Sequence, residues 1–232
     1  MKLNTNLAEM RIAGFGGQGV ILAAHIIGKA AAIKAGGYAT LTQNYGPEAR
    51  GGASSAALII SGEPVLYPYT TRPDVLVVMA QEAYQRFVPE MNPDGILLVE
   101  QDLVRLEGIP GNVRVYGIPA TRMAEGLGKK IVTNIVMLGF LAAKTDLMPV
   151  EAYKLAVADS VPAAARDLNA KAFDAGYEYG LQAREITRVD LETALEAEAF
   201  SNAAQSHWPM RVDGFIEPAR QQILNDHKPT YG

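Results

Sequence analysis

The feature that most constrains this chain is a glycine-rich hexapeptide, Gly14-Phe15-Gly16-Gly17-Gln18-Gly19, set between an apolar strand and an alanine-rich helix. Residues 10–15 read as the strand, and Gln18 to about Lys34 as the helix, which ends at the Gly36-Gly37 pair. Tyr38 to Thr42 follows as a second strand. Strand, glycine turn, helix and strand make a βαβ unit, which predicts a parallel pair joined by a right-handed crossover.

The alternation persists. A polar loop over 43–52 leads to a strand at Ala53–Ile60 and a turn at Ser61–Pro64. Residues 74–80 and 95–100 are continuous apolar runs suited to strands buried on both faces, with a helix over 81–88 between them. A short strand at 112–116 precedes helical stretches at 121–127 and 134–144. The predicted class is therefore α/β: a doubly wound, mostly parallel sheet with helices on both faces. Residues 150–183 read as further helix, broken at Pro162, with Phe173, Tyr177 and Leu181 recurring every four residues. The expected division is an α/β domain over 1–185 and a helical C-terminal arm over 186–232, carrying Trp208, Phe215 and Ile223.

Composition narrows the function. Hydrophobic residues at 49% and charged residues at 20% fit an ordered globular chain rather than a disordered one. A formal charge of −4 argues against a general nucleic-acid or membrane-surface binder. No apolar run approaches the roughly 20 residues that span a bilayer. The N-terminal sequence MKLNTNLAEM lacks the pattern of a secretory signal, so cytoplasm is the expected location. The chain has no cysteine, so it supplies no thiolate to an iron–sulfur cluster and no cysteine nucleophile. Its three histidines, His25, His207 and His227, are scattered, and no metal site is expected. Redox chemistry involving this chain must use a cofactor held elsewhere.

In its strand–turn–helix setting the glycine turn suits a phosphate, because glycines admit close backbone approach and the helix N-terminus presents free N–H groups. A purely structural tight turn is the alternative. Nicotinamide binding is disfavoured: the second strand ends Thr42-Gln43-Asn44, with no carboxylate for the ribose before Glu48. The loop Gln43–Ser55 carries Arg50 beside Gly51 and Gly52, a forked cation on a pliable backbone. Loops at the carboxyl ends of neighbouring strands converge, which predicts that Arg50 shares a crevice with the glycine turn. A surface pair between Arg50 and Glu48 is the alternative. Asp74 and Glu82 read as strand-start and helix-start charges rather than an acid–base pair. His25 reads as packed or half-buried, and Met79, Met123 and Met137 as core filler.

Taken in order, RIAGFGGQGV, TQNYGPEARGG, SSAALIISGEPV, PDVLVVMAQEAY and TNIVMLGFLAA are similar to the gamma subunit, or gamma domain, of the 2-oxoacid:ferredoxin oxidoreductases. The family comprises enzymes acting on pyruvate, 2-oxoglutarate, 2-oxoisovalerate and aryl 2-oxoacids, and the likeness spans about residues 10–183. The resemblance implies a non-catalytic subunit of a complex that converts a 2-oxoacid and coenzyme A to acyl-CoA and carbon dioxide. It implies thiamine diphosphate, Mg and Fe-S clusters on partner subunits, namely alpha, beta and a ferredoxin-like delta chain. It also implies that Gly14, Gly16, Gly17, Gln18, Gly19, Arg50, Gly51 and Gly52 face the phosphates of coenzyme A. The segment 188–232 departs from the simplest gamma pattern and would suit a further partner, such as a flavin subunit that passes electrons to NAD. The rival readings are an independent NAD(P)-dependent oxidoreductase and a scaffold that binds no ligand.

Overall fold

The computed structural model describes residues 2–45 and 53–187. Six strands form one sheet: β1 (Leu7–Phe15), β2 (Tyr38–Tyr45), β3 (Ala53–Ser61), β4 (Val75–Val78), β5 (Ile96–Glu100) and β6 (Arg114–Ile118), in the order β2-β3-β1-β4-β5-β6. The helices are α1 (Val20–Lys29), α2 (Gln81–Phe87), α3 (Ala120–Gly126), α4 (Thr133–Lys144), α5 (Val150–Ser160) and α6 (Arg166–Gln182).

The predicted class holds, with one correction to its first unit. β1 and β2 do point the same way, but they are not neighbours. β3 lies between them and pairs antiparallel with both, Phe15 opposite Ala53 on one side and Tyr45 opposite Ser54 on the other. The cause is chain length, since a parallel crossover needs a dozen residues or more and the β2–β3 connection is shorter. The remaining pairs, β1–β4, β4–β5 and β5–β6, are parallel as expected.

Both sheet faces are covered, which explains the continuous apolar runs. On one face Met10, Ile12, Val77 and Leu98 pack with α1, α4 and α5. On the other, Ala13, Leu76, Val78, Leu97 and Val99 pack with Ala83, Tyr84 and Phe87 of α2. Strand residues alternate between these two cores because successive side chains point to opposite faces.

Of the α6 residues that recur every four positions, Phe173 is buried, whereas Leu181 is 63% exposed. The buried face of α6 runs through Asn169, Ala172, Phe173, Gly176 and Gly180. Small residues are needed there because α4 and α6 meet backbone to backbone. A Cβ on Gly176 would collide with the Val136 carbonyl oxygen, and one on Gly139 with that of Phe173. His25 is exposed rather than packed, because α1 turns Ala23, Ala24, Ile26 and Ile27 inward. Its Nε2 lies 2.9 Å from Nε2 of Gln43 on β2.

The methionine and carboxylate readings agree with the fold. Met79 and Met137 are buried. Asp74 accepts hydrogen bonds from the Glu9 N–H at 3.0 Å and from Asn92 Nδ2 at 2.8 Å, and Glu82 occupies the first turn of α2. The arm residues Trp208, Phe215 and Ile223 lie outside the described residues. No helix among the described residues is long and apolar enough to cross a membrane.

Candidate functional site

β1 carries the chain to the end of the sheet at Phe15, where the glycine turn begins. The chain reverses its course across the sheet here, with β3 and β2 to one side of β1 and β4, β5 and β6 to the other. Ligands of open α/β folds bind at such a switch point. Gly17 (φ 94°) and Gly19 (φ 73°) adopt left-handed backbone that other residues rarely take, and Gly19 caps α1.

Gln18 folds back into the crevice. Its Oε1 accepts the Phe15 N–H at 2.6 Å, while its Nε2 donates to the Met79 carbonyl at 2.9 Å. The amide thus joins the ends of β1 and β4 across the crevice.

The glycines divide their labour. A Cβ on Gly14 would collide with Gln18 Oε1, so Gly14 makes room for that side chain rather than for a ligand. A Cβ on Gly19 would come within 2.5 Å of Asn134 Nδ2. Asn134, buried in the first turn of α4, donates to the Gly19 carbonyl at 3.2 Å and ties the starts of α1 and α4 together. A Cβ on Gly17 would meet nothing within 4 Å. Gly17 faces open space.

That space is a cavity of about 250 Å³ lined by Gly17, Gln18, Thr121, Lys130, Ile131 and Thr133. Thr133 Oγ1 donates to the Lys130 carbonyl at 2.7 Å, pinning the backbone that leads into α4. The Lys130 side chain is 71% exposed and stands 3.8 Å from Glu125, a loose surface pair. Beneath Thr121 lies Glu100, fully buried at the end of β5. Glu100 Oε1 is 3.5 Å from the Thr121 N–H, and Oε2 has no partner. Burial pushes this carboxyl above the usual carboxylate range, opposed by the Thr121 N–H and reinforced by the charge of Asp102. The cavity presents one lysine and the Thr121 hydroxyl, groups suited to an anion, while the Thr133 hydroxyl has its proton on the Lys130 carbonyl. It offers no paired acid and base.

Of the residues singled out from sequence, Gly17 and Gln18 line this cavity, while Gly14 and Gly19 shape the turn behind it. Arg50, Gly51 and Gly52, with Glu48, lie outside the described residues. Their anchors are described: Tyr45 and Ala53 stand at the sheet end that carries Phe15 and the glycine turn. Sequence reasoning missed Thr121, Lys130 and Thr133. The available signal was the pair Lys129-Lys130 directly before an apolar helix, behind a glycine.

A mixed α/β sheet with a glycine turn at its switch point and a cavity beside that turn defines a doubly wound α/β domain. The chain belongs to the pyruvate ferredoxin/flavodoxin oxidoreductase family, whose sequence pattern matches residues 9–179. It is similar to the 2-oxoglutarate synthase subunit KorC of Methanocaldococcus jannaschii, 45% identical over 172 residues that span 73% of this chain and 92% of that one. The gamma subunit of a keto/oxoacid ferredoxin oxidoreductase from Geobacter sulfurreducens superposes with a TM-score of 0.70 at 41% identity, over 77% of this chain and 99% of that one. A 2-oxoglutarate:ferredoxin oxidoreductase from Magnetococcus marinus, solved with 2-oxoglutarate, coenzyme A and succinyl-CoA bound, shares the fold. Its TM-score is 0.68 at 24% identity, over 76% of this chain and 31% of that one. The expected gamma-type subunit of a 2-oxoacid oxidoreductase complex therefore holds, and with it the existence of partner subunits.

Proposed function

We propose that this chain contributes one wall of the coenzyme A site in a thiamine-diphosphate-dependent 2-oxoacid:acceptor oxidoreductase. In this reading alpha, beta and ferredoxin-like delta subunits carry thiamine diphosphate, Mg and the Fe-S clusters. A cysteine-free chain fits that division, because it has no thiolate to hold a cluster. Residues 1–185 act as the gamma-type domain and 186–232 as an arm that docks on partners. A flavin subunit linking the complex to NAD is a further candidate partner.

The observation that carries the reading is the open face of Gly17 over a cavity that has, among the described residues, one lysine and the Thr121 hydroxyl. Backbone N–H groups and a cation are what the phosphates of coenzyme A require. The 2-oxoacid itself would react elsewhere, at thiamine diphosphate, which supplies the carbanion chemistry when bound. This chain's task is to hold the acyl acceptor. The Gln18 amide in the switch-point crevice, and a β2 that ends without a carboxylate, disfavour a nicotinamide nucleotide.

The test uses the assembled complex. Gly17→Val and Arg50→Ala should each raise the KM for coenzyme A by about 10- to 100-fold, the range expected for losing a charge-assisted contact. Coenzyme A-independent decarboxylation should stay intact in both. Unchanged KM values in complexes of normal composition would leave a scaffold that binds no ligand.

A further inference from the structure

The cavity beside the glycine turn has a second wall, formed by the loop between α3 and α4. Gly128 (φ 91°) turns the chain, and the Val132 N–H bonds to the Lys129 carbonyl at 3.2 Å. Thr133 Oγ1 holds the Lys130 carbonyl. The loop backbone is thus fixed, while two side chains at its tip, Lys130 and Ile131, stand exposed. Lys130 is the one charged residue lining the cavity among the described residues, and Ile131 beside it is 80% exposed. A cation and an uncovered aliphatic side chain at one cavity rim match a ligand with a phosphate next to an apolar stem. The partner that Lys130 has, Glu125 at 3.8 Å, is itself exposed and easily displaced.

We infer that Lys130 and Ile131 are specificity residues for the acyl acceptor, with Lys130 pairing a phosphate of coenzyme A and Ile131 packing on the adjoining stem. This rests on the coenzyme A reading above and deepens it. A cavity of about 250 Å³ takes one segment of so long a molecule, not the whole. The phosphate that adjoins the stem is the diphosphate; the 3′-phosphate sits on the ribose.

The experiment compares coenzyme A, 3′-dephospho-coenzyme A and pantetheine as acceptors in the assembled complex. Lys130→Ala should raise the KM for coenzyme A about ten-fold, the effect of removing one exposed charge-assisted contact, with the KM for the 2-oxoacid unchanged. Lys130→Arg should restore most of the loss. With pantetheine, which has no phosphate, wild type and Lys130→Ala should be equal. A ratio that persists with the dephospho compound is the expected result, and one that disappears moves Lys130 to the 3′-phosphate and overturns the pairing with the stem at Ile131. An unchanged KM for coenzyme A, or an equal rise for pantetheine, overturns the assignment. Gly17→Val measured alongside separates the two levels: if it raises the KM while Lys130→Ala does not, only Lys130 falls. If neither does, the coenzyme A reading falls as well.

Discussion

Gln18 donates through Nε2 to the Met79 carbonyl at 2.9 Å, so the turn after β1 is fastened to the end of β4, sixty-one positions away. The same amide takes the Phe15 N–H at 2.6 Å. One side chain therefore serves a donor and an acceptor that secondary structure leaves open, and it sets the shape of the cavity floor.

Replacing Gln18 should show this in stability. Gln18→Ala leaves two backbone groups without partners and should cost about 2 kcal/mol, or about 4–8 °C in melting temperature. Gln18→Glu keeps the acceptor but sets a carboxylate oxygen against the Met79 carbonyl. It should be no more stable than the alanine variant at neutral pH and should recover on acidification. Thermal melts of the three proteins decide it; an alanine variant as stable as wild type would make the bridge incidental.

The α4–α6 contact predicts a contrast between two glycines. Gly176→Ala drives a Cβ into the Val136 backbone and should cost about 2–3 kcal/mol, seen as a drop of about 5–10 °C. Gly126→Ala, at the end of α3, meets nothing within 4 Å and should change stability by about 0.5 kcal/mol or less. Equal melting temperatures for the two variants would mean the helices separate without cost.

How much of this was readable follows from the range of each interaction. The glycine turn announces itself within six residues, and the strand runs declare a sheet buried on both faces. The insertion of β3 between β1 and β2 was legible in principle, because a loop over 43–52 is too short for a parallel crossover. The spacing of large apolar residues does not give the buried face of α6, because helix contact selects Gly176 and Gly180. Lys130 was out of reach for another reason. Its relation to Gly17 spans more than a hundred residues, and no local period records it.

The last described residues are anchored on the rest of the α/β unit. The Ile186 N–H donates to the Val115 carbonyl at 2.8 Å on the β6 edge, and Lys144 Nζ donates to the Ala183 carbonyl at 2.6 Å. A chain truncated after Arg188 keeps both contacts and should remain folded. If the arm docks on partners, the truncated chain should assemble more weakly, read by analytical ultracentrifugation of the complex. Assembly of unchanged affinity and stoichiometry would remove the arm from the interface.

Glu100 predicts a pH dependence with a definite sign. Its carboxyl is buried, one oxygen has no partner, and burial raises its pKa from an ordinary value of 4.5. The native state therefore binds this proton more tightly than the unfolded chain does. Stability associated with Glu100 is fully present below the unfolded value and is lost as pH rises through the folded one. At neutral pH this preference for the proton is a cost that the fold carries. Glu100→Gln resembles the protonated acid and keeps an acceptor for the Thr121 N–H, so it should melt above wild type at pH 7–8. The gap should close as pH falls and vanish below about 4.5, where both side chains are neutral. Melting curves of the two proteins from pH 4 to 8 test this directly. A gap that does not vary with pH would show that folding leaves the Glu100 carboxyl at its ordinary value, and would overturn the prediction.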